Sequence, residues 1–225
     1  MSAALAMDGL FALAWIAAAG LAVAASVAFY RRGVPATYLR DALHVGAAAW
    51  VVGWPLWHTA WVPVLLGFGV AALFVAAPRL HGARRVLAAL CGRGERWSGI
   101  ALYAVAYAIF TAAGLLGSHR FAAGAALLSL SLGDGLGGFV GRRFGRLHYR
   151  APNAKQKSVE GSLTVALASA LALVAAAALF GAPITLRLVA SGALVAALAE
   201  GLAPRSADNF VVPAAQWMWL RILGT

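Results

Sequence analysis

Asp134 is the residue whose setting most clearly asks for chemistry. It lies in Gly133-Asp134-Gly135-Leu136-Gly137-Gly138-Phe139-Val140-Gly141-Arg142-Arg143-Phe144-Gly145-Arg146, directly after an apolar stretch. Gly133, Gly137, Gly141 and Gly145 recur at every fourth position, so on a helix they form one smooth stripe, with Asp134, Gly138 and Arg142 as the stripe beside it. Close helix packing of the small-xxx-small kind accounts for the glycines. It does not account for a carboxylate among them, because an ionisable group at membrane depth is costly and marks a functional site. A carboxylate next to small residues leaves space for a hydrated cation and whatever that cation carries. Mg2+ takes one or two carboxylates together with substrate phosphates.

The segment that follows supplies the opposite charge. Pro152-Asn153-Ala154-Lys155-Gln156-Lys157-Ser158-Val159-Glu160-Gly161-Ser162 contains both lysines of the chain. Together with Arg142, Arg143 and Arg146, Lys155 and Lys157 would surround a polyphosphate with donors, arginine as a planar fork and lysine as a point charge. Ser158 is a candidate N-cap for the helix that follows, and Asn153 is an equally good turn residue. Familiar soluble motifs do not explain the pattern. Gly133 to Gly138 match G-x-G-x-x-G, with Glu160 further on, but that motif has meaning only after a strand in a βαβ unit. No Gly-Lys-Ser/Thr and no His-Glu-x-x-His occurs, and the five histidines are scattered. Cys91 is the single cysteine, which excludes an intramolecular disulfide and a cysteine-based metal site.

The elements that hold these residues must suit a bilayer. Hydrophobic residues make up 63% of the 225 and charged residues 11%, against about 45–50% and about 25% in soluble domains. Disordered chains, secreted disulfide scaffolds and ordinary soluble enzymes are excluded. The apolar runs predict an all-α polytopic membrane bundle, one domain over 1–225, with about seven transmembrane helices in a range of six to eight. The runs are Met7 to Tyr30, Asp41 to Leu56, Thr59 to Ala77, Gly99 to Leu116, Phe121 to Val140, Val159 to Phe180 and Ile184 to Leu202. The tail from Phe210 to Leu220 is expected to be interfacial or re-entrant. The loops after the first, third, fifth and seventh runs hold 16 of the 18 basic residues, leaving only Arg120 and Arg187 on the other side. The positive-inside rule makes the rich side cytoplasmic, with the N-terminus outside and the C-terminus inside. Five of the seven acidic residues, Asp41, Asp134, Glu160, Glu200 and Asp208, flank apolar segments on that same side. The net charge of +11 taken alone would suit nucleic acid or anionic lipid. Its placement argues against nucleic acid and for a nucleotide at the cytoplasmic surface, with membrane lipids around the bundle.

Gly133-Asp134, then Gly141-Arg142-Arg143-Phe144-Gly145-Arg146, then Lys157-Ser158-Val159-Glu160-Gly161-Ser162 resembles the signature of the dolichol kinase/phytol kinase family. These are CTP-dependent polytopic kinases of lipid alcohols, related to phosphatidate cytidylyltransferases. Arg40-Asp41-Ala42-Leu43-His44 is similar to the family's Arg-Lys-x-x-His, and Glu200 followed by Asp208-Asn209-Phe210-Val211-Val212-Pro213 to its Glu…Asp-Asn-x-x-x-Pro. The resemblance covers about 40–213. It implies CTP as phosphate donor, Mg2+ as cofactor and a lipid alcohol as acceptor: phytol, farnesol, a polyprenol or dolichol, or diacylglycerol. It implies catalytic roles for Asp134, Lys157, Glu160, His44 and Asp208, with Asp134, Asp208 and Glu160 as metal ligands. Arg142, Arg143, Arg146, Lys155, Ser158, Asn209 and Arg40 would hold the nucleotide. It further implies a bacterial inner or plasma membrane location. Asp41 departs from the family's lysine, and the short chain favours the phytol-kinase-like or bacterial branch. Two other readings stand beside this one. A phosphatidate cytidylyltransferase would carry a longer Ser-Pro-Lys-Lys-Thr-type motif, which Gln156-Lys157-Ser158 does not match. A transporter or scaffold would be expected to show paired broken helices, and no internal repeat is visible.

Overall fold

A computed structural model describes residues 3–80, 83–91, 97–151, 156–204 and 207–224. Every apolar run becomes a helix, as it must where no water is present to satisfy an open backbone. In chain order these are α1 (Ala3–Arg31), α2 (Ala36–Val52), α3 (Trp61–Ala76), α4 (Arg84–Cys91), α5 (Ser98–Leu115), α6 (Arg120–Ser129), α7 (Gly135–Phe144), α8 (Val159–Phe180), α9 (Leu186–Leu202) and α10 (Asp208–Ile222). Five helical segments are long and apolar enough to cross a bilayer: Ala3–Arg31, Trp61–Arg79, Ser98–Leu115, Arg120–Phe144 and Val159–Phe180. The chain is a membrane helical bundle.

Three local features depart from a plain set of rods. α6 and α7 form one continuous helix interrupted by a π-turn over Leu130–Asp134. A short antiparallel hairpin, β1 (His148–Arg150) with β2 (Gln156–Ser158), precedes α8, with Tyr149 opposite Lys157. Ser158 ends that hairpin and caps α8, its Oγ accepting the Gly161 N–H at 3.1 Å. Asn153, the other turn candidate, lies outside the described residues.

Two sets of contacts fix the direction of each helix. At one end, His44 meets Asp134, Lys157 meets Glu200, and Asn209 donates to the Gly99 carbonyl at 2.9 Å. At the far end, Asp8 holds His58 and Thr59, Trp54 packs on Phe180, and the Trp219 indole donates to Ser191 Oγ at 3.0 Å. The tail forms a helix: α10 packs on α9, α6 and α5, with Val212, Gln216 and Leu220 buried. It carries Arg221 to the far end, where α1 also begins, rather than to the arginine-rich end. Within it, Gln216 donates to the Gly192 carbonyl at 3.3 Å.

The glycine stripe is a packing surface, as its spacing predicts. A Cβ on Gly137 would stand 2.5 Å from Val165 Cγ2, and one on Gly141 would stand 3.0 Å from Ser158 Oγ. α7 therefore lies directly on the first turns of α8. The core beside it is built from Trp54, Leu127, Leu130, Leu173 and Leu220, all essentially inaccessible.

Candidate active site

Close contact between α7 and α8 leaves little side-chain matter at the arginine-rich end, and a cleft of about 530 Å³ opens there. Gly137, Gly138, Gly141 and Gly161 line it, with Val165 among the apolar lining residues. The polar lining comes from Arg40 of α2, Asp134 of the π-turn, Arg142 of α7, Lys157 of the hairpin, Glu200 of α9 and Asp208 of α10. Residues separated by as much as 168 positions, Arg40 and Asp208, thus share one wall system.

Among the described residues, three close side-chain pairs organise the site. Asp134 Oδ2 lies 2.6 Å from His44 Nδ1, and the histidine is almost wholly buried behind it while Asp134 keeps 28% of its side chain exposed. Lys157 Nζ donates to Glu200 Oε1 at 2.6 Å and also to the Glu200 carbonyl, so the hairpin is tied to the end of α9. Arg142 pairs with Asp41 and stands 5.7 Å from the centre of the Tyr38 ring. Arg40 and Lys157 both lie close enough to act electrostatically on Asp134, and Asp134 and Asp208 both act on Glu200.

Of the residues singled out in the sequence, Asp134, Lys157, Asp208, Arg40, Arg142 and Ser158 line the cleft. His44 stands behind Asp134 and does not reach the surface of the cleft. Glu160 is not among the residues that line the cleft. Its Oε1 accepts the backbone N–H groups of Arg146 at 3.0 Å and Leu147 at 3.2 Å, which fixes the entry to the hairpin. Arg143 and Arg146 are exposed and outside the lining. Asn209 is buried, and its Nδ2 donates to the Gly99 carbonyl, joining α10 to α5. Lys155 lies outside the described residues.

Sequence reasoning missed several participants. Glu200 was visible as an acid beside a span, but nothing local announces its pairing with Lys157. Asp41, where the family resemblance expects a lysine, is the partner of Arg142. Tyr103, Tyr107 and Ser131 form a hydroxyl cluster under the site. The available signal was two tyrosines four apart on one helix face and a serine inside an apolar run.

Comparison with known proteins gives one sequence relationship of length. The chain is 31% identical over 198 residues to a phytol kinase of Synechocystis sp., covering 83% of this chain and 82% of that protein. No protein-family model matches the chain, and no solved structure matches it.

Proposed function

The chain belongs to the phytol kinase/dolichol kinase family, and on that footing we propose that it is a membrane-embedded lipid kinase that moves the terminal phosphate of CTP to the hydroxyl of a lipid alcohol. The observation that carries this is the convergence of Asp134, Asp208, Glu200, Arg40 and Lys157 on a glycine-lined cleft at one end of a membrane bundle. Its volume falls within the roughly 300–1,000 Å³ of small-molecule sites. The arginine-rich end is then cytoplasmic, in a bacterial plasma membrane, where CTP is available and the lipid hydroxyl can arrive from the bilayer.

Phosphoryl transfer rests mostly on positioning and charge neutralisation. The lipid oxygen forms a bond to the γ-phosphorus as the bond from that phosphorus to the β,γ-bridging oxygen breaks, and CDP leaves. Lys157 and Arg40 face the phosphates. The hydroxyl proton leaves toward the Asp134–His44 pair, in which His44 steadies the carboxylate from behind. Asp41 holds Arg142 at the wall, so Arg142 turns to a phosphate only by sharing its carboxylate partner.

The donor set fits Mg2+. Among the described residues no three His, Cys, Asp or Glu side chains form a closed metal cage. Asp134 and Asp208 instead supply the one or two carboxylates that Mg2+ uses when phosphates provide the remaining oxygens. When bound, the ion would neutralise charge on the β- and γ-phosphates.

The test is purified protein with Mg2+, labelled CTP or ATP, and a panel of phytol, farnesol, a polyprenol and diacylglycerol. Phosphorylated lipid with release of CDP is the expected result. CDP-lipid with pyrophosphate from phosphatidate would instead make the protein a cytidylyltransferase. Asp134→Asn is expected to fold normally and to lose transfer; normal turnover in that variant removes Asp134 from the mechanism.

A further inference from the structure

Three hydroxyls beneath the cleft have no part in the chemistry above, yet polar groups inside membrane helices are expensive. Ser131 is fully buried in the π-turn and donates to the Leu127 carbonyl at 2.9 Å. Its oxygen is therefore left to accept from the tyrosines of α5. Tyr107 contacts it directly, and Tyr103 Oη lies 3.1 Å away. Tyr103 has a single proton and a second acceptor, the His44 carbonyl at 3.3 Å. The Tyr103 ring also lies flat on the His44 imidazole, with centroids 4.2 Å apart and an interplanar angle of 12°, and stacks on Tyr107 with centroids 4.9 Å apart.

One cluster thus touches both halves of the Asp134–His44 pair. Tyr103 fixes the imidazole plane and the backbone of α2. Ser131, three residues before Asp134, fixes the π-turn that carries the carboxylate. A π-turn is a weaker local structure than α-helix and is retained where a function needs it. The two tyrosine hydroxyls supply the tertiary bonds that hold this one in place.

We infer that Tyr103, backed by Ser131 and Tyr107, is a positioning residue for phosphoryl transfer: it locks the imidazole of His44 and the π-turn of Asp134 into one mutual geometry without touching the substrate. The inference rests on the kinase reading of the cleft. The experiment measures kcat and KM for CTP and for the accepted lipid alcohol, together with the melting temperature, in wild type, Tyr103→Leu, Tyr103→Phe and Ser131→Ala. Tyr103→Leu removes ring and hydroxyl and is expected to lower kcat about tenfold, with both KM values within about twofold, because a misaligned reacting group costs rate rather than affinity. Tyr103→Phe keeps the stacked ring and is expected to recover kcat to within about threefold of wild type. Ser131→Ala keeps every ring, carries the test if Tyr103→Leu does not fold, and is expected to lower kcat with unchanged KM. Wild-type kcat in Tyr103→Leu or in Ser131→Ala, or losses that follow the unfolded fraction alone, would overturn the inference. A wild-type protein that phosphorylates no lipid alcohol fails the kinase reading first, and the inference falls with it.

Discussion

Gly137→Ala puts the close contact of α7 and α8 to a sharp test. The new Cβ would stand 2.5 Å from Val165 Cγ2 and 3.2 Å from the Gly161 carbonyl oxygen. Carbon atoms rest at about 3.5–4.0 Å, so the first contact is short by at least about 1 Å. Val165 cannot swing away cheaply, because a β-branched side chain in a helix keeps one χ1 rotamer. Relief comes from separating the helices, at a cost of about 1–3 kcal/mol for overpacking. The same displacement moves Asp134 and Arg142 relative to Lys157, and about 1 Å of misplacement costs on the order of 100-fold in rate. A folded protein with a lowered melting temperature in detergent and a kcat down about 100-fold is therefore expected. Val165→Ala removes the offending methyl, and the double variant should regain part of both losses, with a coupling of at least about 1 kcal/mol. Gly69→Ala on α3 is the control: nothing lies within 4 Å of its Cβ position, so it should be neutral or stabilising by about 0.5–1 kcal/mol. Wild-type melting and turnover in Gly137→Ala, or a double variant no better than the single, would refute the packing argument.

Two further perturbations separate the ends of the bundle. Lys157→Met leaves the mostly buried Glu200 carboxylate without its cation and should destabilise by up to about 3 kcal/mol, while Lys157→Met with Glu200→Met should regain stability but not transfer, read by melting temperature against kinase rate. Asp8→Ala removes the acceptor of the His58 N–H at 2.9 Å, the Thr59 N–H at 2.8 Å and the Thr59 hydroxyl at 2.6 Å. Bonds to a charged acceptor contribute about 1.5–3 kcal/mol each, so melting should fall clearly, while kcat per folded molecule stays at the wild-type value because the cleft is at the other end.

What could be read in the sequence was whatever is periodic or local. The apolar runs returned as helices because a bilayer leaves the backbone no other choice. The glycine stripe at 133, 137, 141 and 145 packs on α8, and its neighbour stripe of Asp134, Gly138 and Arg142 lines the cleft, because side-chain direction on a helix follows directly from spacing. Ser158 caps α8 by the same local logic. What escaped depends on partners distant in the chain. The π-turn is held by tyrosines from α5. The Asp8 clamp spans fifty residues. The pairing of Glu160 with the hairpin entry was not visible in the sequence either, because its partners are backbone N–H groups of Arg146 and Leu147. The packing of the short tail on α9 was equally hidden, because it turns on Gln216 finding a backbone acceptor there.

The glycine lining has an evolutionary consequence. Gly137, Gly138, Gly141 and Gly161 present main chain where most sites present side chains. Each of these positions brings the backbone itself to the surface of the cleft, and every substitution there adds at least a Cβ. Drift there runs in one direction, toward occlusion. A change in the accepted molecule is therefore reached with less loss of space through lining positions that already carry side chains, such as His148, Gln156 and Ser162.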